Sequence, residues 1–112
     1  MSLSKTTQMN VLLDFYEQLL TEKQRSYLVD YYREDLSLGE IAEIHGISRQ
    51  AVYDQLKRSE SILLKYEERL KLVEQFHKRQ DHLALLAQYV TTHYREDQTL
   101  NELIQRVIED DQ

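Results

Sequence analysis

The chain has 112 residues, with 14 Lys and Arg against 20 Asp and Glu, for a formal net charge of −6. Two glycines, no proline and no cysteine exclude a tight-turned all-β fold, a disulfide scaffold, thiol chemistry and cysteine-ligated zinc. No apolar run reaches membrane-spanning length and the polar start, Met1–Asn10, does not read as a signal peptide, so a cytoplasmic protein without a membrane partner is expected.

Between Lys5 and Leu20, apolar side chains recur at Met9, Leu12, Leu13, Tyr16, Leu19 and Leu20, the spacing of one buried helix face. Thr21 and Gln24 form a capping-box pair that opens a second helix running to about Glu34, where Asp35 and Leu36 interrupt it. Leu28 and Tyr31 face inward there, with Tyr27 or Tyr32. Ser37 and Glu40 repeat the capping box and start a short helix through His45, which Gly46 ends in the left-handed conformation. Ser48 caps the next helix, which meets no breaker until the Arg79–Asp81 region. Leu56, Leu63 and Leu70 lie seven apart on it, interleaved with Tyr66 and Val73. They form either one face of the domain's own core or the seam of a homodimer. Beyond it, Leu83, Leu86 and Val90 mark one further helix, and Thr99–Glu102 caps a last amphipathic one. The acidic end, Glu109–Asp111, reads as frayed. The expected architecture is all-α: a helix-turn-helix bundle over residues 1–80 with a long last motif helix, and a C-terminal helical extension over 81–112.

The stretch from Ser37 to about Glu60 meets the separate demands of a helix-turn-helix. Two helices crossing steeply need a small contact residue, a turn residue tolerant of positive φ, an apolar plug, and a second helix pinned by one face only. Ala42, Gly46 and Ile47 fill the first three roles, and Ile41, Val52 and Leu56 complete the small core. With Val52 and Leu56 inward, the outward face of the second helix carries Arg49, Gln50, Tyr53, Asp54, Lys57 and Arg58. Arg49 and Gln50 suit paired hydrogen bonds to guanine and adenine edges in the major groove. Lys57 and Arg58 suit phosphates, and Tyr53 a thymine methyl or a phosphate. Asp54 repels phosphate unless it accepts from a cytosine amine or pairs with Arg58. A merely solvated helix face is the alternative.

Charge distribution favours this segment. Residues 1–48 hold four basic and eight acidic residues (−4), residues 49–80 eight and five (+3), and residues 81–112 two and seven (−5). Only the third that begins at Arg49 is basic, while the acidic total opposes indiscriminate nucleic-acid binding.

Leu20-Thr21-Glu22-Lys23-Gln24, Leu36–Glu43 and Gly46–Tyr53 together resemble region 4 of bacterial sigma factors. The run Ser48–Asp54 and the opening Met9-Asn10, Asp14–Glu17 and Leu19–Thr21 are more closely similar to the YlxM family of helix-turn-helix proteins. The similarity is good over residues 8–75 and weak beyond. It implies a bacterial cytoplasmic protein whose gene lies beside that of the signal recognition particle GTPase, with a role in that pathway or in transcription regulation through DNA. His45 departs from the pattern, standing where related motifs have a large apolar residue. Either its ring shields the core, its charged form favouring the helix C-terminus, or the motif loses some packing.

No phosphate-cradling glycine loop, GxSxG or paired-histidine motif occurs, and His45, His77, His82 and His93 are scattered. No catalytic residue, metal or cofactor is therefore expected, and the chain is not read as an enzyme. Tyr27, Tyr31 and Tyr32 read as core and rim rather than as a stacking platform for single strands. The partners to weigh are double-stranded DNA, components of the signal recognition particle (its GTPase or its RNA), and a second copy of the chain.

Overall fold

In the computed structural model, which describes residues 4–112, side chains cap five of six α-helices at their starts. Met1–Leu3 of the polar start lie outside the described residues. Helix α1 (Lys5–Tyr16) begins on Ser4, whose hydroxyl accepts the Thr7 amide, and it runs into a 3₁₀ turn over Glu17–Leu19 rather than continuing to Leu20. Helix α2 (Glu22–Leu28) starts on the Thr21–Gln24 capping box, with both hydrogen bonds formed. Helix α3 (Leu38–His45) starts on the matching Ser37–Glu40 box and ends at Gly46, with φ of 66°. Helix α4 (Arg49–Leu70) starts on Ser48, which accepts the Ala51 amide.

The last turn of the second helical segment, Val29–Arg33, widens into a π-helical turn closed by the Glu34 amide on the Val29 carbonyl at 2.8 Å. Widening leaves carbonyls without their regular partners, and the Asn10 side chain donates to that of Tyr32 at 3.0 Å. Asp35 follows with φ of 58°, the interruption read from the sequence.

The long helix does not persist to Arg79. It breaks at Lys71, which adopts φ of 55° although it is not glycine. A new helix, α5 (Leu72–His93), passes straight through the Arg79–Asp81 region where the end was expected. The cause is tertiary: the Tyr16 hydroxyl accepts the Leu72 amide at 3.1 Å and Glu67 Oε1 accepts the Val73 amide at 3.1 Å, so two donors freed by the break are satisfied by fixed side chains. Helix α6 (Gln98–Asp110) is capped by Asp97, which accepts the Leu100 amide, and not by Thr99. Its acidic end is ordered, because Asp111 takes hydrogen bonds from Arg79 at 2.9 Å and Gln80 at 2.8 Å.

The chain gathers into two units, one ending at Val73 and the other running Glu74–Gln112. That division follows the break at Lys71. In the first unit α4 packs against α1, α2 and α3. The shared core joins Met9, Leu12, Leu13 and Tyr16 of α1 to Tyr27 and Leu28 of α2, Ile41 and Ala42 of α3, and Val52, Leu56 and Leu63 of α4. Burying each large aliphatic side chain there contributes about 1.5–3 kcal/mol. Leu56 and Leu63 are thus core residues, whereas Leu70 is exposed. Two leucines of the heptad stripe are thus spent inside the monomer. In the second unit Val90 is buried and many apolar side chains stay exposed, among them Leu85, Leu86, Tyr89, Leu103 and Val107.

Candidate nucleic-acid interface

The turn between α3 and α4 sets the geometry of the candidate face. The Ala42 carbonyl accepts both the Gly46 amide and, at 3.1 Å, the Ile47 amide, which closes the turn through the backbone. Only glycine adopts that left-handed position at low cost. Ile47 is held by its own N–H, and the residue is 37% exposed. Tyr27 and Leu28 from α2 supply apolar bulk to the core around Ile41, Ala42, Val52 and Leu56, which are all buried as expected. The His45 ring covers Tyr27 with centroids 4.5 Å apart, and its Nε2 lies 3.2 Å from Asp30 Oδ2. His45 thus shields the core with its face while its edge meets a carboxylate.

With Val52 and Leu56 buried, α4 presents Arg49, Gln50, Tyr53, Asp54, Lys57 and Arg58 on its exposed surface. Their local partners differ. The Arg49 guanidinium lies across Gly39 of α3, so close that a Cβ there would stand 3.0 Å from Nη2. Gln50 Nε2 donates to Asp54 Oδ1 at 3.1 Å, which makes Gln50 and not Arg58 the partner of that carboxylate. The Lys57 ammonium sits over the Tyr53 ring at 5.3 Å from its centroid, a cation–π contact.

One cluster escaped the sequence reading. Glu60 is buried, and its Oε2 accepts from the Tyr32 hydroxyl at 2.8 Å. Its Oε1 faces two ammonium groups, Lys5 at 3.0 Å and Lys57 at 3.7 Å. Burial first, and then the Glu60 carboxylate, hold the Tyr32 phenol well above its ordinary range. The Glu60 carboxylate holds the Lys5 ammonium above its ordinary range, and the neighbouring Lys5 pushes Lys57 down. A signal was present: position 60 lies four residues after Leu56 and three before Leu63, on the inward stripe of α4. An acid on that stripe requires partners.

No group of three or more His, Asp or Glu side chains able to hold a metal occurs among the described residues. Among them, no helix is long and apolar enough to cross a membrane.

The family described as YlxM- and p13-like helix-turn-helix proteins, UPF0122, matches residues 3–107. The chain is 52% identical over 107 residues to a UPF0122 protein of Bacillus cereus strain AH187, a match covering 96% of this chain and 94% of the relative. UPF0122 proteins of Bacillus anthracis strain A0248 and Bacillus thuringiensis subsp. konkukian strain 97-27 match to the same extent. The similarity therefore continues well past residue 75 and takes in the C-terminal helices.

Proposed function

The chain belongs to the UPF0122 family of YlxM- and p13-like helix-turn-helix proteins, and from that premise we propose that it is a cytoplasmic regulator, not an enzyme, whose α4 docks in the major groove of double-stranded DNA. One observation carries this reading: α4 is pinned by Val52 and Leu56 while Arg49, Gln50, Tyr53, Lys57 and Arg58 stay exposed. Arg49 and Gln50 near the helix start reach base edges, and Lys57 and Arg58 hold phosphates. The helix-turn-helix part, read as residues 1–80, does the binding, and residues 81–112 form a helical appendage. A homodimer presenting two such faces to two half-sites belongs to the same reading. Its contact would lie outside Leu56 and Leu63, which the monomer buries.

The test is anisotropy of a labelled duplex carrying the promoter of the protein's own operon. Binding should weaken steeply with salt, and Arg49→Ala should cost about 1–3 kcal/mol and relax sequence preference. Salt-independent or absent binding at low ionic strength, with Arg49→Ala indistinguishable from wild type, would remove DNA as the ligand.

A second reading has its own support. The Gln50 amide is engaged by Asp54 and the Lys57 ammonium by Glu60 and Tyr53, so much of the basic face is already partnered. Such a face suits a protein or ribonucleoprotein partner, and the family resemblance points to the signal recognition particle. Co-purification with its GTPase or its RNA is the corresponding measurement. No association at micromolar concentration counts against it.

A further inference from the structure

We propose that Lys5 and Lys57 together grip one phosphodiester of the DNA backbone, so that the start of α1 is a second contact of the interface. The inference deepens the DNA reading and rests on it.

The two ammonium groups come from the start of α1 and the third turn of α4, far apart in the chain, and Glu60 Oε1 brings them together at 3.0 and 3.7 Å. The acid is covered and the cations are open: side-chain exposure is 9% for Glu60 against 53% for Lys5 and 46% for Lys57. One carboxylate therefore meets two cations, and the surplus positive charge faces outward. Tyr32 already donates to the other carboxylate oxygen, so Glu60 accepts one hydrogen bond and pairs with two cations. A buried carboxylate needs one cation for charge balance. The second adds like-charge repulsion, because both ammonium groups converge on the same carboxylate oxygen. A singly charged phosphodiester placed between the lysines cancels that repulsion, and charge-assisted hydrogen bonds to both ammonium groups hold it.

Position agrees with chemistry. Lys57 adjoins Arg58 and lies above Tyr53, on the same exposed side of α4 as the base-reading candidates. A phosphate held there fixes how far α4 enters the groove without reading sequence. Glu60 acts as a positioning residue in this scheme, because it sets the spacing of the two ammonium groups and does not touch DNA.

The experiment measures wild type, Lys5→Gln and Lys57→Gln on a labelled duplex across a salt series, with thermal melting of each variant as a check on folding. Each variant should weaken binding roughly three- to tenfold on every sequence and reduce the slope of log affinity against log salt by about one. Lys5→Arg should retain the wild-type slope. Should Lys5→Gln melt early, Lys5→Met keeps the aliphatic stem, and the slope does not depend on the folded fraction. Wild-type binding with an unchanged slope in both neutral Lys5 variants overturns the shared grip and leaves the DNA reading standing. Absence of salt-dependent binding by wild type overturns both.

Discussion

Tyr16 of α1 donates its hydroxyl to Glu67 of α4 at 2.5 Å, and each of these two oxygens also accepts an amide from the chain just past Lys71. Burial and the Glu67 carboxylate together hold the Tyr16 phenol above its ordinary range, which keeps it a donor. Tyr16→Phe removes the acceptor of Leu72 and the donor to Glu67 without changing the ring. A loss of about 1–3 kcal/mol is expected, since buried groups lose their partners. Urea unfolding reads the loss, and faster hydrogen exchange at Leu72 localises it. Lys71→Gly should instead stabilise by up to about 1 kcal/mol, because glycine takes the left-handed conformation without the Cβ penalty.

Burial separates residues that periodicity alone treats as equals. Leu63→Ala should cost about 2–5 kcal/mol and Leu70→Ala within about 0.5 kcal/mol. Ile41→Ala should likewise be severe, and Ile47→Ser mild, since the turn holds Ile47 by its amide. Thermal melts of the four variants check the order.

Gly39 offers a way to move Arg49 without touching it. Gly39 is the second residue of α3, where alanine is favoured over glycine by less than the about 1 kcal/mol of a helix interior. The new methyl would also press on the Arg49 guanidinium, the flexible end of a side chain, which swings away. Gly39→Ala is therefore expected to melt higher and to show altered base preference in a duplex selection experiment. Unchanged preference would mean that the seat on α3 does not aim Arg49.

Stability should hold between two pH limits. Arg33 keeps the Glu17 carboxyl below its ordinary value of 4.5, so the ionised form is favoured in the folded state. That contribution is present above pH 4.5 and is lost as the pH falls through the lowered folded value. Tyr32 is the opposite case. Its folded value lies above the ordinary 10.0, so its contribution is complete below pH 10.0 and is lost as the pH rises through the raised folded value. Arg33→Gln should flatten the acid limb of a stability–pH curve, and Tyr32→Phe should flatten the alkaline one.

What the sequence made legible is local. The capping boxes at Thr21 and Ser37, the Ser48 cap and the Gly46 turn each depend on residues three or four apart, and all were readable. So were the inward Ile41, Ala42, Val52 and Leu56. The break at Lys71 was not, because its determinant Tyr16 lies 56 residues before Leu72 and neither glycine nor proline marks the spot. The same holds for Asp111, ordered by Arg79 and Gln80 across the second unit. Asp97 was a local cap overlooked because Thr99–Glu102 made a competing box two residues later. Exposed Ile47 shows another limit: apolar character after the turn does not reveal that the backbone already fixes the position.

The π-helical turn at Val29–Arg33 makes the length of this segment as important as its composition. Deleting one residue there would let the helix close with regular hydrogen bonds, an apparent improvement. It would also rotate everything beyond the deletion by about 100° about the helix axis. Tyr32 would leave Glu60, its carbonyl would leave Asn10, and the Ser37 cap would be displaced with α3. Substitutions are the tolerable route for variation here, and insertions or deletions are not: the wide turn works as a spacer, setting the phase between the first two helices and the motif that follows.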